Sequence, residues 1–429
     1  LVIALSLWPP ALASNDGAFS AATREGRLAV FDDVWQTVHD RYYDANFHGV
    51  DWPAQRATLR SQAGDAHTAQ ELYTVLRRML ASLLDAHTRV YAPDEKFDWQ
   101  HPRFVGIGLS LREIEGRPTI VAVEPGSGPA GAGVRPGDVI ESVDGEPVSS
   151  LLDRRLREQL GSSTPQAARS HAITSLLAGD VNTDVQVGWR TIDNKEKSAS
   201  FRRQWHQRDF ALQVSRQRGD FAVVTIDAFT WTITHDLSTA LHGALRRTHG
   251  LVLDLRNNGG GDAEAMAGVA SYFLPTATGL GEFMNRSGNV ALSLETGTWS
   301  LLSADRPTRL DVPVVILTSD RTSSAAEILV AALKDAQRAT VIGGETCGCV
   351  LAIRTRHALP DGGELDLSEL DYRTAQHVRL EGRGVTPDQK VSLTRQDLYA
   401  GRDRGVEIAL TRLKGLGANS ALQSVPAPY

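Results

Sequence analysis

A chain of 429 residues is long enough for two or three ordinary cores, and 41% hydrophobic with 22% charged residues excludes an intrinsically disordered chain. A formal charge of −6 with no clustered Lys/Arg face offers no field for nucleic acid, which is therefore not expected as a partner. Two cysteines cannot make a disulfide framework, and the 12 histidines contain no HExxH, so the sequence asks for no metal and no cofactor.

The pattern along the chain predicts an α+β multidomain protein. Residues 1–13 form a short apolar run ending in Ala11-Leu12-Ala13, which reads as a signal peptide remnant; the protein is then exported, periplasmic or secreted, with Ser14 near its mature start. A buried strand or a retained anchor is the other reading of that run. Across 14–101, Phe31, Val34, Trp35, Val38 and Tyr42 recur at helical spacing. Thr68 and Glu71 form a capping box ahead of Leu72, Leu76, Met79 and Leu83, so this region is read as helices that contribute to a later core. From 102 to 205 the pattern changes to short β runs over 105–109, 119–123 and 138–140, the last followed by the turn pair Asp144-Gly145. From 206 to 414, strand-like runs over 221–226, 251–255, 312–317 and 340–342 alternate with helical patterns over 236–247, 263–273 and 325–336, which predicts an α/β core. Residues 415–429 read as a loose tail.

Three segments carry chemistry. Around Phe104-Val-Gly-Ile-Gly-Leu109, glycines flank a strand start where backbone N–H groups can cradle a terminal carboxylate, making Gly106, Ile107 and Gly108 candidate peptide-binding residues. The run Leu251-Val-Leu-Asp-Leu-Arg-Asn-Asn-Gly-Gly-Gly261 is a buried strand entering three glycines, where backbone can approach a ligand closely. Last, Val314 to Leu317 leads through small hydroxyl residues into a helix with Ile328, Leu329, Ala332 and Leu333 on one face. A serine at that helix start sits beside free N–H groups and the positive end of the helix dipole, although Thr322, Ser323 and Ser324 could equally be helix caps.

The first segment, with Val123-Glu-Pro-Gly-Ser-Gly128 and Val143-Asp-Gly145 behind it, resembles a PDZ domain of the bacterial peptidase type. Together the segments resemble the tail-specific, or carboxyl-terminal-processing, serine peptidases and their tricorn-like relatives, from about Leu28 to Leu393. The resemblance implies a ClpP/crotonase-like peptidase core and polypeptide substrates bound by the C-terminus. It places the nucleophile at Ser324, ahead of Glu327, and the oxyanion donors at Gly260, with Gly259 as neighbour, and the N–H of Ala325.

The chain departs from that family in two places. The lysine of the Ser-Lys type falls at Cys349 within Cys347-Gly348-Cys349, which leaves that dyad without its base; Lys334 lies beyond on the helix and reads as solvated. The tricorn-like branch pairs serine with a histidine, and Asp85-Ala86-His87-Thr88 fits that slot, with Glu381 as the orienting carboxylate. The serine expected before the histidine is Ala86. The expected reaction is acyl transfer to Ser324 with His87 as base, and hydrolysis of polypeptides with apolar tails; the alternative is a catalytically impaired homologue that binds peptides or other apolar ligands. Whether Cys347 and Cys349 form a disulfide, a redox switch or plain packing stays open.

Overall fold

In the computed structural model, which describes residues 20–95, 103–158, 161–297 and 309–423, a mostly parallel sheet forms the centre of the peptidase-like part. The proposed signal segment lies outside the described residues. In spatial order the strands are Gln213–Gln217, Phe221–Thr225, Gly250–Asp254, Val314–Thr318, Ala339–Gly343 and Gln389–Lys390, and only the first pair is antiparallel. Gly250–Asp254 and Val314–Thr318 are buried along their whole length. Helices cover both faces of such strands, which explains their unbroken apolar sequence. Helices Ile233–His242, Ala263–Ala270 and Ala325–Asp335 share one core with Val224, Leu253 and Ile316. The helix Arg404–Gln423 covers the opposite face, where Ala409 and Leu413 pack on Val252, Val315 and Leu317.

That last helix corrects the expectation of a loose tail from residue 415. The backbone stays helical to Gln423 because docking of Val406, Ala409 and Leu413 outweighs the weak helix propensity of Gly415 and Gly417.

A second sheet runs Arg89–Tyr91, Glu364–Arg373, Gly279–Met284, Val290–Glu295, with Ala352–Ala358 also paired to Glu364–Arg373. The helices Arg24–Arg41, Trp52–Asp65 and Ala69–Ala81 bury their apolar faces against it through Leu365 and Leu367. Thr68 caps the third of these, accepting from the Glu71 N–H at 3.1 Å, while the Glu71 carboxylate turns back to the His67 N–H. The chain leaves this helix directly into the turn that carries His87.

Between the two halves sits a β-rich module with its own core. Its sheet runs Leu109–Ile114, Arg117–Val123, Val139–Val143, Asp184–Arg190, Glu196–Arg202, and the helices Val148–Glu158 and Pro165–Thr174 lie against it. The chain enters and leaves through a paired ribbon, Arg103–Gly106 against Gln204–Gln207, as expected for an inserted unit with adjacent ends. The single strand expected over 105–109 is in fact two. Gly108 has φ +81°, and a Cβ there would lie 2.7 Å from the Ser127 Cβ, so the chain turns between ribbon and sheet where only glycine fits.

Candidate active site

Ser324 stands at the junction of the strand Val314–Thr318 and the helix Ala325–Asp335 with φ 58° and ψ −125°. A non-glycine residue in that region stores about 1–3 kcal/mol of strain and persists only where its surroundings over-determine it. They do so here. The Ser324 N–H donates to the Cys349 carbonyl at 2.9 Å and to the Glu327 carboxylate at 3.1 Å. Glu327, fully buried, also accepts from Thr346 Oγ1, the Gly348 N–H and the Cys349 N–H. Burial pushes its carboxyl up to about 7, and the four donors work against that rise. Glu327 thus welds the 346–349 loop to the start of the serine helix.

His87 reaches this serine from the other half of the molecule, its Nε2 3.4 Å from Ser324 Oγ. Its turn is fixed by Asp85, whose Oδ1 accepts from the N–H groups of His87 and Thr88 at 2.7 Å each. Ser368 Oγ, on the strand Glu364–Arg373, donates to the same oxygen at 2.9 Å. Burial above all, with the Arg89 guanidinium adding to it, holds the imidazole well below its usual pKa, so it is neutral and able to accept a proton at pH 7. Its Nδ1 has no hydrogen-bond partner among the described residues.

Glu381 does not bond to that nitrogen. Its Oε2 accepts from the Val350 N–H at 2.6 Å; nearby, the hydroxyl of Ser163 accepts from the Ala86 N–H at 3.2 Å. Burial, reinforced by the charges of Asp85 and Glu327, pushes Glu381 up to about 8. Among the described residues no hydrogen bond joins Glu381 to His87, so the direct orientation expected from the sequence is not present.

The glycine loop also needs a correction. Asn258 Oδ1 accepts the Gly260 N–H at 2.8 Å, so that group is engaged and cannot serve an oxyanion as it stands. The N–H groups of Gly259 and Ala325 have no acceptor among the described residues. Gly260 serves by absence of a side chain: a Cβ there would lie 2.6 Å from Ser324 Cβ. Asn258, fully buried, also donates to the Ile226 carbonyl and accepts from the Ser323 N–H through its own carbonyl. Neither Asn258, Thr346 nor Ser163 was singled out by sequence; the Asn-Asn-Gly-Gly-Gly run was the one available hint for Asn258.

Cys347 and Cys349 are joined as a disulfide on the loop held by Glu327. Lys334 donates to Asp388 Oδ1 at 2.9 Å beyond the helix and takes no part in the cleft. The cleft itself, of about 1280 Å³, is walled by His87 and Cys349, by Ser170 and His171 from the module helix, and by Phe229 and Trp231 from the core. Arg112 on the module's edge strand donates to Asp320 Oδ1 at 2.7 Å, tying the module to the turn before the serine. Among the described residues no group of three or more His, Cys, Asp or Glu could hold a metal ion, and no helix is long and apolar enough to cross a membrane.

A strained serine at a helix start, a neutral histidine beside it and two free N–H groups make an arrangement suited to nucleophilic acyl transfer. Comparison with known proteins agrees. Residues 220–391 match peptidase family S41, and residues 24–81 match the tricorn protease C1 domain. The chain is 28% identical over 385 residues to a carboxyl-terminal-processing protease of Synechocystis sp., covering 88% of this chain and 83% of the relative. It is also 28% identical over 376 residues to the chloroplastic carboxyl-terminal-processing peptidase 2 of Arabidopsis thaliana, covering 84% and 68%. Among solved structures, a photosystem II D1 C-terminal processing protease aligns with a TM-score of 0.57 at 25% identity over 85% of this chain and 93% of that one. Mature CPAF in complex with lactacystin shares the fold, with a TM-score of 0.67 at 12% identity over 93% and 98%. By these matches, residues 220–391 carry a peptidase family S41 domain and residues 24–81 a tricorn protease C1 domain, and the chain is a homologue of carboxyl-terminal-processing proteases with their mixed α/β fold.

Proposed function

We propose that this chain is an exported serine endopeptidase that hydrolyses polypeptides with apolar C-terminal tails, using Ser324 as nucleophile and His87 as general base. The observation that carries this reading is the 3.4 Å approach of His87 Nε2 to the hydroxyl of a strained, buried serine. In the first step His87 Nε2 takes the Ser324 proton as Oγ attacks the scissile carbonyl. The N–H groups of Gly259 and Ala325 stabilise the oxyanion, and His87 then protonates the leaving amine. Water, deprotonated by the same imidazole, cleaves the acyl-enzyme and regenerates Ser324.

The β-rich module acts as a PDZ-like binder of free C-termini. Its edge strand Leu109–Ile114 begins at a glycine turn where the N–H groups of Ile107 and Gly108 have no acceptor among the described residues, and Gly106 leads into that turn. Apolar tails are favoured because Phe229, Ile353 and the 89% exposed Trp231 line the cleft. Export is supported by the Cys347–Cys349 disulfide, which suits an oxidising compartment. Titration of the full chain with paired peptides tests the module: amidation of the tail should weaken binding, and equal affinity for amide and free acid would remove the carboxylate-loop assignment.

A second reading, a peptide-binding homologue with impaired catalysis, is favoured by one observation, the unpartnered Nδ1 of His87. Covalent labelling by a fluorophosphonate separates the two: a hydrolase is labelled at Ser324, and a pure binder is not.

A further inference from the structure

The turn that delivers Ser324 is fixed by its backbone and small hydroxyls. The Ser319 N–H donates to Thr322 Oγ1 at 3.0 Å, the Arg321 N–H donates to Ser319 Oγ at 3.1 Å, and the fully buried Thr322 donates its hydroxyl to the Leu255 carbonyl at 2.8 Å. The Arg321 side chain is not tied down in the same way. It lines the cleft beside Ser323, and among the described residues its guanidinium makes no hydrogen bond and no ion pair. The carboxylates that share the cleft are engaged elsewhere. Asp320 accepts from Arg112 at 2.7 Å and Asp366 from Arg356 at 2.8 Å, while Asp209, Asp236 and Asp262 accept from their own turns and helix starts.

We propose that Arg321 determines specificity: its guanidinium, unpaired in the cleft on the turn that carries Ser324, binds a carboxylate of the polypeptide substrate close to the scissile bond. Arginine stays charged at any working pH, and its planar fork matches a carboxylate through two parallel hydrogen bonds. Arg321 precedes Ser324 by three residues, so their Cα atoms are at most about 11 Å apart, a span of about three residues of extended peptide. The carboxylate therefore belongs to a substrate residue within about that distance of the bond that is cut. The inference rests on the Ser324–His87 reading of the site and adds the substrate chemistry beside it.

The surroundings leave this charge uncompensated. Burial, then the guanidinium groups of Arg112 and Arg208, work against the charge on Arg321, and Asp320 and Asp227 favour it. Asp320 is already bonded to Arg112, and Asp227 forms no ion pair with Arg321 and is not among the residues that wall the cleft. Arg208, the neighbouring arginine of the cleft, rests over the rings of Phe104 and Phe210 at 5.6 and 5.9 Å, whereas Arg321 has no ring contact among the described residues. An incoming carboxylate supplies the missing acceptor inside a walled cleft, where an ion pair is screened less than on an open surface. The module's glycine turn is the proposed seat of the free C-terminus, which leaves Arg321 for the side chain of an Asp or Glu; the terminus of a short peptide offers the same chemistry.

The test is hydrolysis by the full chain of internally quenched peptides that share one apolar free tail and carry Glu or Gln at each position near the scissile bond in turn. At one position Glu should be favoured over Gln by about tenfold to a hundredfold in kcat/KM, the range of a charge-assisted hydrogen bond. Arg321→Gln should bring that ratio near unity, and Arg321→Glu should favour Lys over Glu at the same position. A purely structural arginine would lower all the peptides alike and leave the ratio in place. A second arm uses short peptides whose last residue falls at that position, as free acids and as amides. A preference for the acid that vanishes in Arg321→Gln assigns the terminal carboxylate as the ligand, and a preference confined to internal Glu assigns side chains. Equal rates for Glu and Gln at every position and for acid and amide, or a preference that survives Arg321→Gln, would overturn the inference while leaving the Ser324–His87 mechanism standing. A wild type that hydrolyses no peptide and takes no fluorophosphonate would sink the mechanism and the inference together. If Arg321→Gln does not fold, Arg321→Met, which keeps most of the apolar stem, makes the same comparison.

Discussion

The serine half and the histidine half of this site are built in opposite ways. Around Ser324 the anchoring centres on one buried carboxylate, Glu327, which binds the helix start and the 346–349 loop with four hydrogen bonds, beside the direct bond from the Ser324 N–H to the Cys349 carbonyl. Around His87 the anchors come from three separate places: Asp85 in its own turn, Ser368 on a strand, and Ser163 on a loop of the β-rich module. One half is rigid by local design; the other is assembled by tertiary contact and leaves Nδ1 without a partner among the described residues. Rigid placement suits the atom that forms the covalent bond, and looser placement suits the group that must carry a proton between two oxygens or nitrogens.

The largest expected break in this comparison is His87→Ala, which should lower kcat/KM by about 10²–10⁴-fold if the imidazole is the base. In the wild type the acid limb of the profile should lie below pH 6.5, because burial holds His87 below its ordinary value. A limb at or above 6.5 would mean that His87 is less enclosed than the structure places it.

Glu327→Ala attacks the other half. It leaves buried N–H groups of Gly348 and Cys349 and the Thr346 hydroxyl without an acceptor, at about 1–3 kcal/mol each before relaxation. We expect a loss of about 3–5 kcal/mol in urea unfolding. A variant as stable as wild type would show that the 346–349 loop is held by other means.

Glu381 gives a pH test of the histidine half. Its folded carboxyl is raised to about 8 from an ordinary value near 4.5, so the folded state holds this proton more tightly than the unfolded chain. The stability it contributes is complete below about pH 4.5 and is lost as pH rises through about 8. Glu381→Gln should therefore flatten the decline in unfolding free energy across that window, by an amount on the order of a few kcal/mol. Parallel curves for the two proteins would contradict the buried, raised carboxyl.

The smallest effect is expected at the disulfide. The ring closed by Cys347 and Cys349 spans only three residues, so its loss should cost about 1–2 kcal/mol, and Cys349→Ser should keep the wild-type pH profile. Loss of turnover on thiol reduction would give the disulfide a larger part in holding Ser324 than Glu327 leaves for it.

This division also explains what the sequence could tell. The strand Val314–Thr318, the serine turn and the apolar face of the following helix are contiguous, so periodicity and small hydroxyl residues mark Ser324 directly. The core strands were legible for the same reason, as unbroken apolar runs. Ser163 lies in a short connection between two module helices, where a serine ordinarily signals only a turn, and nothing local points to a residue 77 positions earlier. The engaged N–H of Gly260 was equally hidden, since it depends on the rotamer of Asn258 and not on the glycines themselves. The pairing of the two cysteines depends on loop conformation, which a Cys-Gly-Cys sequence leaves open.

The most direct test of the central claim is the rate of fluorophosphonate labelling in the wild type, Ser324→Ala and His87→Ala. Activation of Ser324 by His87 predicts labelling of the wild type at Ser324, none in Ser324→Ala, and a rate lower by about 10²–10⁴-fold in His87→Ala. Equal labelling of wild type and His87→Ala, or labelling that survives Ser324→Ala, would contradict it.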